Sequence, residues 1–400
     1  MNILIIGGGA SGMMAALTAL EVPENHVILA ERQARVGRKL LSTGNGRCNL
    51  TNRNAAPAHY HGQTPDFCRY ALERFGVSDT LEFFESLGLA TVTEPDGKVY
   101  PRSNMANSVL DVLRFAMAQY GERLESVMGD PVTELKRNKT GFAVTLESGR
   151  VVHAHRVILA AGGCAGSKVG GVTDGYRLAQ GLGHHRTALY PALVQLKTDP
   201  TYPRSLKGVK TDAAITLRQG KTVLAENSGE ILFTEYGVSG PAIFEISRHA
   251  AGEKLTVELD LWAEKEESEV LDWLHGRRLR VPDCGSALVG VLHNRLAQVA
   301  VKAAGLAPSE PMTQLTDAQL RTLAHACKHF TLPVTGTCGF DQAQVTAGGL
   351  TTAEFDPRTM GSRLVPGLYA CGEVLDIDGD CGGYNLQWAW SSGHLAGQLL

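Results

Sequence analysis

Asn2-Ile-Leu-Ile-Ile-Gly7-Gly8-Gly9-Ala10-Ser11-Gly12-Met-Met-Ala-Ala-Leu-Thr-Ala-Leu20 reads as a buried strand, a Gly-x-Gly-x-x-Gly turn and a helix. The unbroken apolar run from Ile3 to Ile6 suits a central parallel strand, which is covered on both faces and therefore shows no alternation. Gly7 allows the tight turn, Gly9 lets a pyrophosphate approach the backbone, and Gly12 lets the helix close on the strand. A second apolar strand, Val27 to Ala30, ends at Glu31, nineteen residues after Gly12. A carboxylate there accepts the ribose hydroxyls of an adenosine and repels a 2′-phosphate. The glycine motif alone is weak, but strand, turn, helix, second strand and acid in register point to a dinucleotide site.

A chain of 400 residues exceeds the usual size of a single core, so two or three domains are expected. Forty-five glycines fit a fold rich in tight turns and cofactor loops better than a helical bundle. A formal charge of −3 exerts no global pull on nucleic acid or anionic membrane. Ile3 to Leu20 is uncharged, yet its four glycines and the lack of a preceding basic stretch argue against a signal peptide or membrane span. A soluble, cytoplasmic protein is expected. Cys48, Cys68, Cys164, Cys284, Cys327, Cys338, Cys371 and Cys381 are scattered without a C-x-x-C pair, which suits reduced thiols.

Further along, Gln33 to Arg53 holds Arg35, Arg38, Lys39, Arg47 and Arg53 and no acid. Gly37-Arg-Lys-Leu-Leu-Ser-Thr-Gly44-Asn-Gly46-Arg-Cys-Asn49-Leu-Thr-Asn52 is read as a glycine-rich cationic loop suited to phosphate or flavin-edge contact. Helices are expected near Asp66 to Phe75, Ser78 to Leu87 and Ala106 to Tyr120, with a hairpin at Asp96-Gly97. Short strands follow from Leu124, and Arg156-Val-Ile-Leu-Ala-Ala161-Gly162-Gly163 is a returning buried strand with a glycine pair. Strand, meander and returning strand form the pattern of a dinucleotide fold carrying FAD. Leu193 to Leu196, Ala213 to Arg218, Thr222 to Ala225, Ile231 to Thr234 and Leu255 to Asp260 read as antiparallel strands, and Glu266 to Phe330 reads mostly as helices. The expected division is a first part of the FAD domain over 1–186, an inserted β-rich domain over 187–262, an inserted helical domain over 263–332 and a return over 333–400. That return contains the strand Leu364 to Ala370, then Gly372-Glu373, and a terminal helix beginning near Tyr384 to Gln387.

Taken together, these blocks resemble the YhiN/BaiN-like flavoproteins, the BaiN/RdsA family. The matching residues are Gly7-x-Gly9-x-x-Gly12, the loop from Gly37 to Asn52, Val99-Tyr100-Pro-x-Ser103, Leu232-Phe-Thr-x-x-Gly-Val-Ser-Gly-Pro241, and Gly372-Glu-Val-Leu-Asp…Gly382-Gly383-Tyr384-Asn385. The resemblance covers nearly the whole chain. It implies an α/β, glutathione-reductase-like Rossmann FAD-binding domain, a three-layer fold with a parallel sheet and β-meander, and an inserted β-barrel-like plus helical domain. It also implies non-covalent FAD held by Gly7, Gly9, Ala10, Ser11, Gly12, Glu31, Arg32, Arg38, Lys39, Leu40, Gly44, Gly46, Arg47, Asn49, Val132, Ala161, Gly162, Gly163, Gly372, Glu373, Gly383, Tyr384, Asn385 and Leu386. Members reduce C=C bonds of steroid-like molecules, reduce uridine in ribosomal RNA, or oxidise small amines. Two departures, the run Cys164-Ala-Gly-Ser-Lys168-Val-Gly-Gly-Val-Thr-Asp174 and Glu235 in place of histidine, are expected near the substrate side.

A flavin accepts hydride at N5 and gathers negative charge at N1 and the C2 oxygen. The free amides and dipole of the terminal helix, approached through Gly382-Gly383, would favour that anion. The same Gly-Gly-Tyr-Asn also serves as an ordinary helix start. No second Gly-x-Gly-x-x-Gly occurs from Ala106 to Ala370, so NAD(P)H, if it is the donor, must visit transiently. Tyr100, Cys164 and Cys381 are the candidate proton donors, although a buried tyrosine and inert thiols are the plainer readings. Asp376, Asp378 and Asp380 read as a solvated loop, and no metal is expected. His394 and the pair His184-His185 read as structural or exposed.

The expected function is an FAD-dependent, NAD(P)H-driven reductase of a C=C or C=N bond in a small molecule. A dihydrouridine synthase acting on ribosomal RNA is an alternative, since Arg204, Lys207, Lys210, Arg218 and Lys221 face one acid, Asp212, within Tyr202 to Lys221. A flavin-dependent small-amine oxidase and a non-catalytic flavin-binding module are further alternatives.

Overall fold

Ile3, Leu4, Ile5 and Ile6 lie in the middle strand of a five-stranded parallel sheet, ordered Leu368–Ala370, Arg156–Leu159, Asn2–Ile6, His26–Glu31, Leu124–Met128. Their side chains are nearly inaccessible, as the unbroken apolar run required. This computed structural model describes residues 1–400 in two units, Met1–Pro191 with Ala343–Leu400, and Ala192–Gln342. In the first unit the helix Ala10–Leu20 follows the first strand directly, and the strands Val132–Arg137, Phe142–Leu146 and Val151–Ala154 form an antiparallel meander. The Rossmann layer with its meander is therefore present as expected.

Within this unit the terminal helix Tyr384–Gln398 is buried on nearly every side. A Cβ at Gly393 would lie 2.5 Å from the Ser11 carbonyl oxygen, and one at Gly397 would lie 2.7 Å from that of Ala15. Each pair is one helical turn apart, so the terminal helix and the helix Ala10–Leu20 meet backbone to backbone. Burial of polar groups here is matched by hydrogen bonds. Gln387 accepts from the Thr51 hydroxyl at 2.6 Å and donates to Thr80 Oγ1 at 2.9 Å, while the Trp388 and Trp390 indoles donate to the carbonyls of Gly372 and Leu50 at 3.1 and 2.9 Å. An unpaired buried amide or indole would cost about 1–3 kcal/mol.

The cationic stretch after Gly37 departs from a simple loop. Arg38–Ser42 is a short helix, entered through Gly37 at φ 71°, because the helix formers Arg38 to Leu41 can bury Leu40. Thr43–Gly46 follows as a tight turn with Gly44 and Asn45 both at φ 56°.

In the second unit, six strands close into a barrel: Leu196–Thr198, Gly237–Ser239, Thr222–Phe233, Lys210–Gln219, Leu255–Asp260 and Phe330–Thr337. Thr222 to Ala225 and Ile231 to Thr234, expected as separate strands, fall in one twelve-residue strand, Thr222–Phe233, with Thr234 just beyond its end. Glu226-Asn-Ser-Gly229 reads as a turn by residue type, yet it pairs continuously with Ala213 to Thr216. Ile215, Leu217, Phe233 and Val257 from the barrel share one core with Val270, Leu274, Leu296, Leu320 and Leu323 from the helices.

His184 introduces a pH dependence into the first unit. Its side chain is fully enclosed, stacked on Phe355, with Nδ1 2.8 Å from Glu354 Oε2 and Nε2 2.8 Å from Ser362 Oγ. Burial lowers its pKa, with hydrogen bonding to Glu354 opposing in part. The folded state therefore binds a proton here less readily than the unfolded chain, and this contribution to stability declines as pH falls below about 6.5, the free imidazole value. A falling melting temperature between pH 7 and 5, flattened in His184→Gln, is the expected result; parallel curves for the two proteins would reject it.

Candidate functional site

At the carboxyl ends of the sheet, a cleft in the first unit is lined by Gly7, Gly8, Gly9, Ala10 and Ser11 from the glycine turn, and by Glu31, Arg32 and Gln33 after the second strand. Lys39 and Leu40, Val132, Ala161 to Gly163, Glu373, and Asn385 with Leu386 complete its walls. Open parallel sheets place their ligands at this edge.

The glycines of the turn have different tasks. At Gly7, with φ 109°, a Cβ would meet the Ala160 carbonyl oxygen at 2.3 Å, and at Gly12 it would meet the Gly7 carbonyl oxygen at 1.9 Å. Those two let segments pack. A Cβ at Gly9 meets nothing within 4 Å, so that position is bare toward the cleft. The helix Ala10–Leu20 starts there with no side-chain cap, leaving first-turn amides and the positive end of its dipole at the cleft.

Glu31 is fixed by two amides: Gly8 N–H donates to Oε2 at 2.8 Å and Gln33 N–H donates to Oε1 at 2.7 Å. Each oxygen keeps acceptor capacity. At another wall, Lys39 Nζ pairs with Glu373 Oε2 at 2.5 Å, and Thr346 N–H donates to Glu373 Oε1 at 2.9 Å. Thr346 Oγ1 in turn accepts from Ala165 N–H at 2.9 Å. Three distant stretches of chain are thereby joined around Glu373.

The first turn of the terminal helix brings Asn385 and Leu386 to the cleft. Gly383, at φ 101°, is its N-cap, without a side-chain cap bond, and a Cβ there would lie 2.5 Å from the Thr51 carbonyl oxygen and 2.8 Å from Asn49 Oδ1. That Asn49 oxygen is a buried acceptor with no partner. Asn385 spans back to the carbonyls of Gly379 and Asp380 at 2.7 and 3.3 Å, which fixes the approach to the helix.

Of the residues expected in the site, Gly7, Gly9, Ala10, Ser11, Glu31, Arg32, Arg38, Lys39, Leu40, Val132, Ala161, Gly162, Gly163, Glu373, Asn385 and Leu386 line the cleft together. Gly12, Gly44, Gly46, Arg47, Asn49, Gly372, Gly383, Tyr384, Tyr100 and Cys381 are not on its wall. Arg47 is occupied elsewhere, paired with Glu94 at 2.7 Å and lying 3.9 Å above the Tyr100 ring. Tyr100 is buried beneath it, and burial with the nearby Glu94 carboxylate raises its phenol pKa. Tyr384 stacks on His59 with ring centres 4.5 Å apart. Asp380 takes both His59 and His61, at 2.9 and 2.6 Å, and is no solvated loop carboxylate. His185 is exposed but also pairs with Glu354, at 2.7 Å.

The run after Gly163 calls for a correction. It was expected on the substrate side, but its second half lies elsewhere: Asp174 pairs with Arg32 at 3.5 Å and Gly170 lies beside the Gln33 side chain, while Ala165, at its start, is held by Thr346 near Glu373. The chain folds back over the Glu31 end of the cleft. Sequence reasoning missed Gln33, which lines the cleft, and Thr346, which holds Glu373; neither stands in a recognisable motif.

The model of the HI0933-like protein Rossmann domain matches residues 1–399. Over 405 residues the chain is 42% identical to a 3-dehydro-bile acid delta(4,6)-reductase of Clostridium scindens, covering 99% of this chain and 98% of that protein. It is 32% identical over 407 residues to a ribosomal RNA dihydrouridine synthase of Escherichia coli, covering 100% and 98%. Its fold is similar to that of a 3-ketosteroid delta1-dehydrogenase from Sterolibacterium denitrificans, with a TM-score of 0.51, 13% identity, and 99% and 98% of the two chains covered.

Proposed function

Because this chain belongs to the HI0933-like family, the BaiN/RdsA family, and is an FAD-dependent oxidoreductase, we propose that it reduces a carbonyl-conjugated C=C bond in a steroid-like small molecule, with a nicotinamide nucleotide as donor. The observation that carries this reading is the 42% identity, over essentially the full length of both proteins, to a reductase named for a 3-dehydro-bile acid.

The cleft fits FAD. Glu31 offers two fixed carboxylate oxygens to a ribose, and bare Gly9 with the first-turn amides of Ala10 and Ser11 suits a pyrophosphate. Lys39 and Glu373 hold the wall between the adenosine end and the terminal helix. The first-turn amides at Asn385 and Leu386 favour negative charge at that end of the cleft. When bound, FAD supplies the two-electron carrier between donor and acceptor. The chain's part is to hold its two ends, place a dipole against the accumulating charge and keep reactive thiols away. Cys48 and Cys371, for example, are buried and pushed up to about 12, chiefly by desolvation.

A specific observation weighs on the RNA alternative. Lys207, Lys210 and Arg218, three of the five basic residues thought to hold phosphates, are paired with Glu235, Glu230 and Glu258 at 2.8, 2.9 and 3.5 Å. With three of its five cations paired to carboxylates, the segment offers less free positive charge to phosphates than its sequence suggests. No helix is long and apolar enough to cross a membrane.

Anaerobic mixing tests the proposal. NADH or NADPH is expected to bleach the bound flavin, and a steroid 4-en-3-one or 4,6-dien-3-one to restore its colour with formation of the saturated product. Reoxidation by unmodified ribosomal RNA and by none of the steroids would replace this reading with the RNA one.

A further inference from the structure

Away from the cleft, the second unit gathers two histidines and a glutamate that the proposed chemistry does not use. His325 lies in the last turn of the helix Asp317–Lys328, and His329 follows that helix directly. Four-residue spacing puts both on one side. Glu267 opens the helix Glu267–Arg277. His325 Nδ1 stands 3.3 Å from Glu267 Oε2, and His329 Nε2 stands 3.6 Å from the same oxygen. One donor atom from each of the three side chains falls within 4.8 Å of the others.

Those separations are close to what a metal demands. Ligands about 2.0–2.1 Å from a tetrahedral zinc lie about 3.3 Å from one another. The outer contacts also fit: His329 Nδ1 faces Glu258 Oε1 at 3.2 Å, and Arg218 reaches that same oxygen at 3.5 Å. A carboxylate on the far nitrogen is the usual support of a ligating histidine, because it fixes the tautomer and turns the ring. The nearest ammonium groups are engaged with other acids, Lys328 with Asp260 and Lys265 with Glu269, both at 2.7 Å.

We propose that Glu267, His325 and His329 form a zinc-type metal site, with Glu258 as the carboxylate that orients His329 and a fourth position open to water. Two imidazoles and one carboxylate select a divalent transition metal over magnesium or calcium, which prefer all-oxygen sites. The ligands come from two helices, so the ion would clip Glu267–Arg277 to Asp317–Lys328 and stabilise the folded state by mass action.

Zinc titration of the chelator-treated, FAD-loaded full chain, followed by calorimetry and thermal melting, tests this. One zinc per chain is expected, with a rise in melting temperature. His325→Ala and His329→Ala should each weaken binding about 100-fold or more, and Glu258→Gln about tenfold. Unchanged melting of the zinc-free variants would show that they fold, as expected for side chains that are 62% and 41% exposed. Cobalt(II) on the wild-type chain gives an independent reading, since histidine and carboxylate ligation lacks thiolate charge-transfer absorption. Absence of stoichiometric zinc uptake, uptake undiminished in both histidine variants, or a thiolate signature with cobalt would each overturn the site.

Discussion

Gly9→Val is expected to leave the protein colourless while the FAD-free chain melts at the wild-type temperature, whereas Gly12→Ala should damage the fold itself. The two glycines belong to one motif, but their surroundings differ. At Gly9 the backbone is at φ −79° and ψ −171°, a conformation open to a β-branched residue, and a Cβ there finds empty space at the cleft. Valine would therefore sit without strain in the very place assigned to the pyrophosphate. We expect FAD affinity to fall more than about 100-fold, a loss of about 2.7 kcal/mol in binding alone. At Gly12 the added methyl would lie 1.9 Å from the carbonyl oxygen of Gly7, a residue whose own amide is bonded to the Ala30 carbonyl. Helix and strand would have to separate, at about 3 kcal/mol. Urea denaturation of both FAD-free proteins, beside quenching of flavin fluorescence on titration, distinguishes the cases. Equal destabilisation by the two substitutions would remove Gly9 from the binding role.

The contrast also shows what the amino-acid order discloses. Strand, glycine turn and helix could be read from residues 2–20 because a parallel strand needs continuous apolar burial and a dinucleotide turn needs glycines at fixed spacing. Glu31 was legible for a similar reason, since chain length between strand ends is nearly fixed. What escaped depended on partners remote in sequence. The basic residues of Lys207 to Arg218 look like an uncompensated patch because Glu230, Glu235 and Glu258 lie on neighbouring strands or beyond. Arg47 looks available for phosphate until Glu94 and Tyr100 are folded against it. Glu226 to Gly229 resembles a turn in isolation, and only cross-strand pairing makes it part of a long hairpin. The Gly393-x-x-x-Gly397 spacing was visible all along, but its meaning needs the opposing helix.

That spacing supports the second large effect. Gly393→Val should unfold the FAD domain under mild conditions and abolish the yellow colour together with it. The added Cβ would lie 2.5 Å from the Ser11 carbonyl oxygen and 3.1 Å from Met14 Cβ, and neither neighbour can retreat. Ser11 belongs to the glycine turn on one face of the cleft, while Asn385 and Leu386, in the first turn of the same terminal helix, stand on another. Forcing the helices apart would thus widen the cleft at both ends and uncover Trp388 and Trp390, which are almost wholly buried. We expect a loss of at least about 3 kcal/mol from overpacking, enough to consume a large part of a typical domain's stability. Gly276 supplies the control. It also lies in a helix, Glu267–Arg277, but a Cβ there meets nothing within 4 Å. Gly276→Ala should accordingly stabilise the protein by about 0.5–1 kcal/mol through helix propensity. If Gly393→Val kept its flavin and melted like the wild type, the two helices could not be in the backbone contact that holds the cleft together.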